Sequence, residues 1–244
     1  MMKGRALLTG TIVALELYVS CAAAHAADPP RSWPVYERPA PRYVEMVSGW
    51  YVRGDFGYRF NEMQSVEGGG QPVTSFNYPD SLGVTFGGGY KYQWFRFDAT
   101  VDYAPRVTAR ATTNDATIGQ PQYTTKIDAL SLLANFYLDL GTWYGFTPYV
   151  GAGVGVTYLR SRDYEDTSLP INHATGNGRT NFSWAGMAGI AYQINERWVA
   201  DVGYRYLDMG DLPTSTNSNS VLDHTTWKRL SAQEIRIGLR FLLD

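Results

Sequence analysis

Three features of the sequence predict an all-β fold. Large apolar side chains alternate with small or charged ones along eight stretches, which is the side-chain period of a β-strand. The large set is aromatic and aliphatic, whereas the other set holds arginine, aspartate and glycine, so the large residues suit lipid and the polar ones a confined interior. Long and short segments also alternate between the stretches. Together these features predict an eight-stranded antiparallel up-and-down transmembrane β-barrel.

The composition fits one barrel domain, which we place at residues 48–244. The 244-residue chain is 14% aromatic, holds 25 Gly and is only 18% charged, as a sheet with aromatic belts and a tight interior requires. Its formal net charge of −2 gives no basic footprint for nucleic acid. The glycine-rich run 151–155 lacks the third glycine of a nucleotide-binding loop and no helix follows it, so we expect no cofactor.

The clearest strand pair is a hairpin between Phe182 and Tyr206. The polar residues 195–197 reverse the chain, and Asp201, Gly203 and Arg205 occupy the inward positions of the second strand. The outward positions of the pair are Phe182, Trp184, Gly186, Ala188, Ile190 and Tyr192, followed by Trp198, Ala200, Val202, Tyr204 and Tyr206.

Six further strands repeat this alternation. We predict them at about 50–60, 82–92, 95–103, 125–138, 150–158 and 235–241. The strand at 125–138 is the least regular, because Ile127 and Leu133 fall on its polar side.

The segments between the strands predict which end of the barrel faces outward. We predict long loops at 61–80, 105–122, 160–179 and about 209–227, with short turns between them that place both chain ends on the short-turn side. Aromatic residues gather at both ends, as the girdles of a membrane barrel do. The short-turn girdle is Trp50, Tyr92, Trp94, Trp143, Tyr144, Trp198 and Phe241. The long-loop girdle is Phe60, Tyr103, Tyr158, Phe182, Tyr206 and Trp227.

The first 26 residues predict a secretory signal peptide. Lys3 and Arg5 precede a mostly apolar stretch, and Ala24-His25-Ala26 fits a small-residue cleavage site. The single cysteine, Cys21, lies in this segment, so the mature protein would hold no disulfide. Residues 27–47 carry five prolines and predict an extended periplasmic leader.

The inward positions of the predicted strands hold both signs of charge. They are Arg53, Asp55, Arg59, Lys91, Arg96, Asp98, Asp102, Asp201, Arg205, Glu234, Arg236 and Arg240. Buried charges are costly unless paired, and eight strands leave an interior that side chains can fill. We therefore expect a salt-bridged network that plugs the lumen. The alternative is narrow water or ion leakage between these groups.

Several segments resemble a known family. Residues 49–52, 145–153, 203–207 and 235–241, with the stretch Gly-Phe-Thr-Pro-Tyr-Val-Gly at 145–151, resemble alphaproteobacterial small outer-membrane proteins, porin-like surface antigens of the OmpA-like barrel superfamily. The resemblance covers nearly all of the mature chain and implies an outer-membrane barrel with variable surface loops. The C-terminus also resembles the signal read by the outer-membrane assembly machinery, at Arg236, Gly238, Phe241 and Leu243, although an aromatic residue is usual where Leu243 stands.

The expected function is structural. We expect a monomer that contacts outer-membrane lipid and lipopolysaccharide, supports envelope integrity and meets host or phage surfaces through its loops. The alternatives are a narrow ion channel, a soluble lipocalin-like barrel with its large residues inside, and a lipid-modifying enzyme using His173 or His224. Both histidines lie in long loops without a fixed partner, so we expect neither catalysis nor metal binding there.

Overall fold

The computed structural model describes residues 48–67, 73–113, 122–166, 172–174, 177–213 and 226–243. The predicted signal peptide and leader lie outside these residues. Within the described ranges, no helix is long and apolar enough to cross a membrane. The strands are Ser48–Glu67 (β1), Val73–Asn77 (β2), Ser81–Tyr92 (β3), Phe95–Thr113 (β4), Gln122–Asp139 (β5), Phe146–Asp166 (β6), Asn172–Ala174 (β7), Gly178–Gln193 (β8), Trp198–Pro213 (β9) and Thr226–Leu242 (β10).

Eight long antiparallel strands close into a barrel, as the sequence predicts. Neighbours along the chain pair with one another, and β10 returns to pair with β1 from Tyr51↔Leu242 to Glu67↔Thr226. The short strands only extend this sheet, since β2 pairs with the far end of β4 and β7 with the far end of β6. Closure leaves the eight long strands with backbone partners on both sides, which a spanning sheet in lipid requires.

The two faces of the sheet differ as the alternation predicts. Along β1, Val52, Phe56 and Tyr58 are exposed on the outer face while Arg53 and Asp55 are buried. Glycines on the inner face make room for large neighbours. A Cβ added at Gly189 or at Gly203 would lie 2.5 Å or 2.7 Å from the Tyr149 hydroxyl, so this tyrosine lies across both glycines. Small residues on β8 and β9 therefore let an aromatic ring from β6 enter the lumen.

The strands are longer than the sequence predicted. β1, β4 and β6 run for 20, 19 and 21 residues, whereas crossing a bilayer takes about 9–11. The predicted loops at 61–80, 105–122 and 160–179 were therefore wrong over much of their length. The loop predicted at about 209–227 was wrong at its two ends, and residues 214–225 lie outside the described residues. Their outward residues turn polar, which resembles a loop, but the chain stays in register with its neighbours.

An outward row of aromatic residues marks a change in the alternation: Phe60, Tyr103, Tyr158, Phe182 and Tyr206. We call the part of the barrel on the long-loop side of this row the outer extension, and the alternation inverts there. There the inward positions are apolar and the outward ones polar, as in a soluble protein. We call the buried apolar cluster that fills the loop-side half of the barrel the outer core. Its members are Met63, Ala109, Ala111, Ile127, Leu133, Leu159, Leu207, Met209, Leu212, Trp227 and Leu230.

This outer core corrects one prediction and explains an irregularity. Trp227 does not belong to an aromatic girdle, because its side chain is fully buried in the outer core. Ile127 and Leu133, which interrupt the polar side of the predicted fourth strand, are buried there as well. Trp227 and Ile127 deviate because the interior changes from polar to apolar along the barrel axis. Leu133 is instead an apolar side chain between the buried polar residues Ser131 and Asn135.

Candidate functional site

The candidate site is the filled lumen together with the surface that it supports. Within the membrane part of the lumen, Arg53 links two carboxylates, donating from Nη2 to Asp55 at 2.7 Å and from Nη1 to Asp98 at 3.1 Å. Arg236 reaches the second oxygen of Asp55 at 2.9 Å, and Asn135 donates to Asp98 at 2.7 Å. These side chains come from β1, β4, β5 and β10, so the cluster ties strands together across the lumen.

A second group of ion pairs lies at the short-turn mouth. Arg96 donates to Asp139 at 2.8 Å, and the Lys91 ammonium lies 3.3 Å from the other oxygen of the same carboxylate. On the opposite wall, Arg240 donates to Asp201 at 3.0 Å. Asp139 was missing from the predicted charge network, although its position on the polar side of the fourth predicted strand is a usable signal. With it, the network holds seven cations and six carboxylates.

Tyrosines surround the most buried cation of this group. The Arg96 guanidinium carbon lies 4.7 Å and 4.6 Å from the ring centroids of Tyr137 and Tyr149, and its two terminal nitrogens have no hydrogen-bond partner among the residues that the structure describes. Ring faces attract a cation, so they compensate in part for these missing hydrogen bonds. The Tyr149 hydroxyl also donates to Asp201 at 2.5 Å. Sequence reasoning did not single out these two rings, although both alternate with outward residues.

A four-charge cluster lies deeper, beneath the outer core. Arg205 donates to Asp102 at 2.6 Å and to Glu234 at 2.7 Å and 2.9 Å. Arg59 bonds the other oxygen of Asp102, and its Nε lies 2.7 Å from Glu234. Thr85 donates a further hydrogen bond to Asp102 at 2.6 Å. Two arginines and two carboxylates thus neutralise one another with almost no contact with solvent.

The outer core covers this cluster on the loop side. Tyr78, between β2 and β3, packs against the outer core, and burial raises the pKa of Tyr78 to about 12. Small cavities occur nearer the other end. One of about 40 Å³ is lined by Lys91, Asp139 and Arg240 among others, and one of about 10 Å³ touches Arg53 and Tyr149. Volumes of this size hold one to a few water molecules.

The predicted site residues fall into three groups. All twelve inward charges lie on the lumen side, and all but Lys91 are buried. The girdle residues of both belts, apart from Trp227, point outward, with Tyr206 and Phe241 half-buried and the others exposed. Of the two candidate histidines, His173 lies in β7, and His224 lies outside the described residues.

The C-terminal residues are held by backbone hydrogen bonds. Leu242 N–H donates to the Arg197 carbonyl at 2.9 Å, and Leu243 N–H donates to the Trp50 carbonyl at 3.0 Å. Phe241 packs against Trp198 with ring centroids 4.9 Å apart. Arg236 and Gly238 lie on the inner face of the same strand, β10.

A closed barrel with an apolar exterior and a charged interior defines an integral membrane protein of the β-barrel class. The chain matches the family of the outer membrane protein beta-barrel domain over residues 14–241, and it belongs to that family. It is therefore an outer-membrane protein, as the sequence resemblance predicted.

Individual relatives agree with this assignment. An uncharacterized protein of Brucella abortus is 31% identical over 227 residues, covering 78% of each chain. A putative adhesin of Rickettsia felis is 27% identical over 210 residues, 81% of this chain and 89% of the adhesin. Among solved structures, Neisserial surface protein A matches with a TM-score of 0.51 at 18% identity. The match spans 80% of this chain and 97% of the Neisserial chain, and it shows the shared fold.

Proposed function

We propose that the protein is a non-conducting outer-membrane barrel that holds a rigid platform outside the cell for contact with other surfaces. The observation that carries this proposal is the outer extension. Its strands continue far beyond the length needed to cross a bilayer, and a buried apolar core lies inside it. Such a core stabilises strand ends in water, where unsupported loops would otherwise be mobile.

The arrangement of the lumen supports a closed pore. Paired charges fill the membrane part, and the outer core adds an apolar layer whose hydration is unfavourable. Ions crossing the barrel would have to separate buried ion pairs and wet this layer. This favours the structural function over the narrow ion channel.

Recordings from planar bilayers test the closed pore. We expect the wild-type barrel to show no steady current, and the double variant Leu133→Ser/Leu207→Ser, which places hydroxyl groups in the outer core, to show intermittent conductance. Steady open levels in the wild type would refute a closed lumen.

Contact with other surfaces is supported by the relatives. The Rickettsia felis protein that this chain resembles is described as a putative adhesin. In the present protein, the segments at 68–72, 114–121, 167–171 and 214–225 connect strand ends of the outer extension. We infer that these connections make the contacts and that the outer core fixes their spacing.

Display on a non-adherent Gram-negative host tests this role. We expect the full protein to increase binding to epithelial cells and deletion of residues 214–225 to reduce it, at equal surface level and unchanged heat-modifiable mobility. Equal binding by cells with and without the protein would argue for a purely structural role in the envelope.

A further inference from the structure

One side of the outer extension carries an unbalanced set of cations. Beyond the outward aromatic row, the described outward side chains of β4, β5 and β6 include one carboxylate, Asp128. The cations on this face, which we call the basic face, are Arg106, Arg110, Lys126, Arg160 and Arg162. The face therefore has an excess of positive charge among the side chains that the structure describes.

Strand register places the basic face directly above the apolar surface. Tyr103, Leu130 and Tyr158 pair across β4, β5 and β6 and form one outward apolar row, each about 45% exposed. The next outward pair is Asp128 and Arg160, followed by Lys126 and Arg162. At about 3.3 Å per residue, these pairs lie roughly 7 Å and 13 Å along the strands from the apolar row. That is the depth of a lipid headgroup when the row lies at the hydrocarbon edge.

Asp128 lies near Arg106 and Arg162 but accepts too few hydrogen bonds to use all their N–H donors. Its carboxylate lies 3.4 Å from Arg162 Nε and 4.0 Å from Arg106 Nε. A guanidinium has five N–H donors, so one shared carboxylate leaves most donors of both arginines for another anion. Arg162 Nε itself has no hydrogen-bond acceptor among the described residues.

The other side of the outer extension is different. There Lys228 lies 3.6 Å from Asp211 and Arg229 lies 3.7 Å from Asp208, so each of these two cations has its own carboxylate. Glu62 on β1 adds a further negative charge and accepts a hydrogen bond from Gln233 at 2.6 Å. The excess positive charge thus belongs to one face and is not a general property of the rim.

We propose that the basic face binds the phosphate groups of the glycolipid that forms the outer leaflet. Arg106, Arg160 and Arg162 supply planar donors that match phosphate oxygens in pairs, and Lys126 adds a point charge. Basic side chains next to a membrane-embedded apolar surface attract anionic lipid headgroups. The acyl chains of the same molecule would lie along the apolar row formed by Tyr103, Leu130 and Tyr158. The proposal does not rest on adhesion, and each can fail without the other.

Binding of lipid A to the full protein in uncharged maltoside micelles tests the proposal. We expect Arg160→Gln/Arg162→Gln to weaken binding of bisphosphorylated lipid A by at least about tenfold. Asp128→Asn, which removes the competing carboxylate, should bind as tightly as the wild type or more tightly. The matched control Lys228→Gln/Arg229→Gln, on the opposite side, should stay within about twofold. Heat-modifiable mobility verifies that every variant is folded.

Two further arms distinguish the phosphate from other sources of affinity. Removing both phosphates from lipid A should abolish the difference between wild type and Arg160→Gln/Arg162→Gln, and Arg160→Lys/Arg162→Lys should restore part of the affinity. Equal binding of bisphosphorylated lipid A by Arg160→Gln/Arg162→Gln and by the control Lys228→Gln/Arg229→Gln would overturn the proposal. If Arg160→Gln/Arg162→Gln binds soluble heparin more weakly than the wild type does but binds lipid A equally well, the face is a site for free sulfated glycans and the lipid proposal is wrong.

Discussion

At the scale of single residues, the stability of the lumen depends on complete ion pairs, because removing one member leaves a buried charge without its partner. Arg205 is almost completely buried and contacts both Asp102 and Glu234. A buried ion pair contributes little relative to an apolar replacement of the same shape, but an orphaned buried charge is expensive. The four-charge cluster is therefore sensitive to loss of any one member.

We predict that Arg205→Ala destabilises the barrel by about 3–5 kcal/mol, because two carboxylates would share only Arg59. The measurement is the urea midpoint for loss of heat-modifiable mobility in detergent. Arg229→Ala is the control, since the Arg229 side chain is 64% exposed and its ion pair with Asp208 is 3.7 Å long. Equal midpoints for the two variants would show that the cluster is not needed for stability.

At the scale of elements, a long strand that enters the outer extension, as β4, β5 and β6 do, serves two environments. Its short-turn part faces lipid with apolar side chains and the lumen with charged ones, whereas its outer part reverses this arrangement. The groups that fill the two parts differ, with buried ion pairs in the membrane part and apolar side chains in the outer part. Local unfolding of the outer extension can thus occur while the membrane part stays closed.

We predict that Trp227→Ala removes about 3–5 kcal/mol of local stability from the outer extension, because it leaves a large cavity in the outer core. Hydrogen exchange should accelerate at the outer ends of β9 and β10 and stay unchanged near the short turns. Trp94→Ala, at a 61% exposed position in the β3–β4 turn, should leave the outer ends protected. Uniform exchange in Trp227→Ala would mean that the barrel unfolds as one unit.

At the scale of the whole molecule, closure depends on the last strand. β10 joins β9 to β1, and the last described residues bond to backbone carbonyls of both neighbouring regions. Leu243 is exposed at the position where the resemblance implies an aromatic residue. The C-terminus therefore affects both the closed sheet and, by inference, recognition during assembly.

We predict that Leu243→Phe increases the fraction of folded protein in the outer membrane, because it would complete the assembly signal that the resemblance implies without touching the lumen. The ratio of heat-modifiable to unfolded protein in membrane fractions measures this. Refolding into detergent, which needs no assembly machinery, should be the same for both proteins. An equal gain in the detergent experiment would assign the effect to stability.

The sequence by itself determined the eight-stranded closed barrel and the outward apolar face, because lipid and lumen impose opposite demands on alternate residues. The placement of the inward charges follows from the same period. It did not determine that the strands continue past the apolar band. Alternation reports only that two faces differ, so Ile127, Leu133 and Trp227 appear irregular until the neighbouring strands are known.

Only the tertiary structure decided what the lumen contains at each level and which charges pair. Arg205 meets Asp102 across 103 residues of sequence, and Asp139 joins Lys91 and Arg96 through the order of the strands. The same is true of the basic face, where Arg106, Asp128 and Arg162 come from three strands. Strand register brings these groups together, and register results from closure of the whole sheet, which no local stretch of sequence contains.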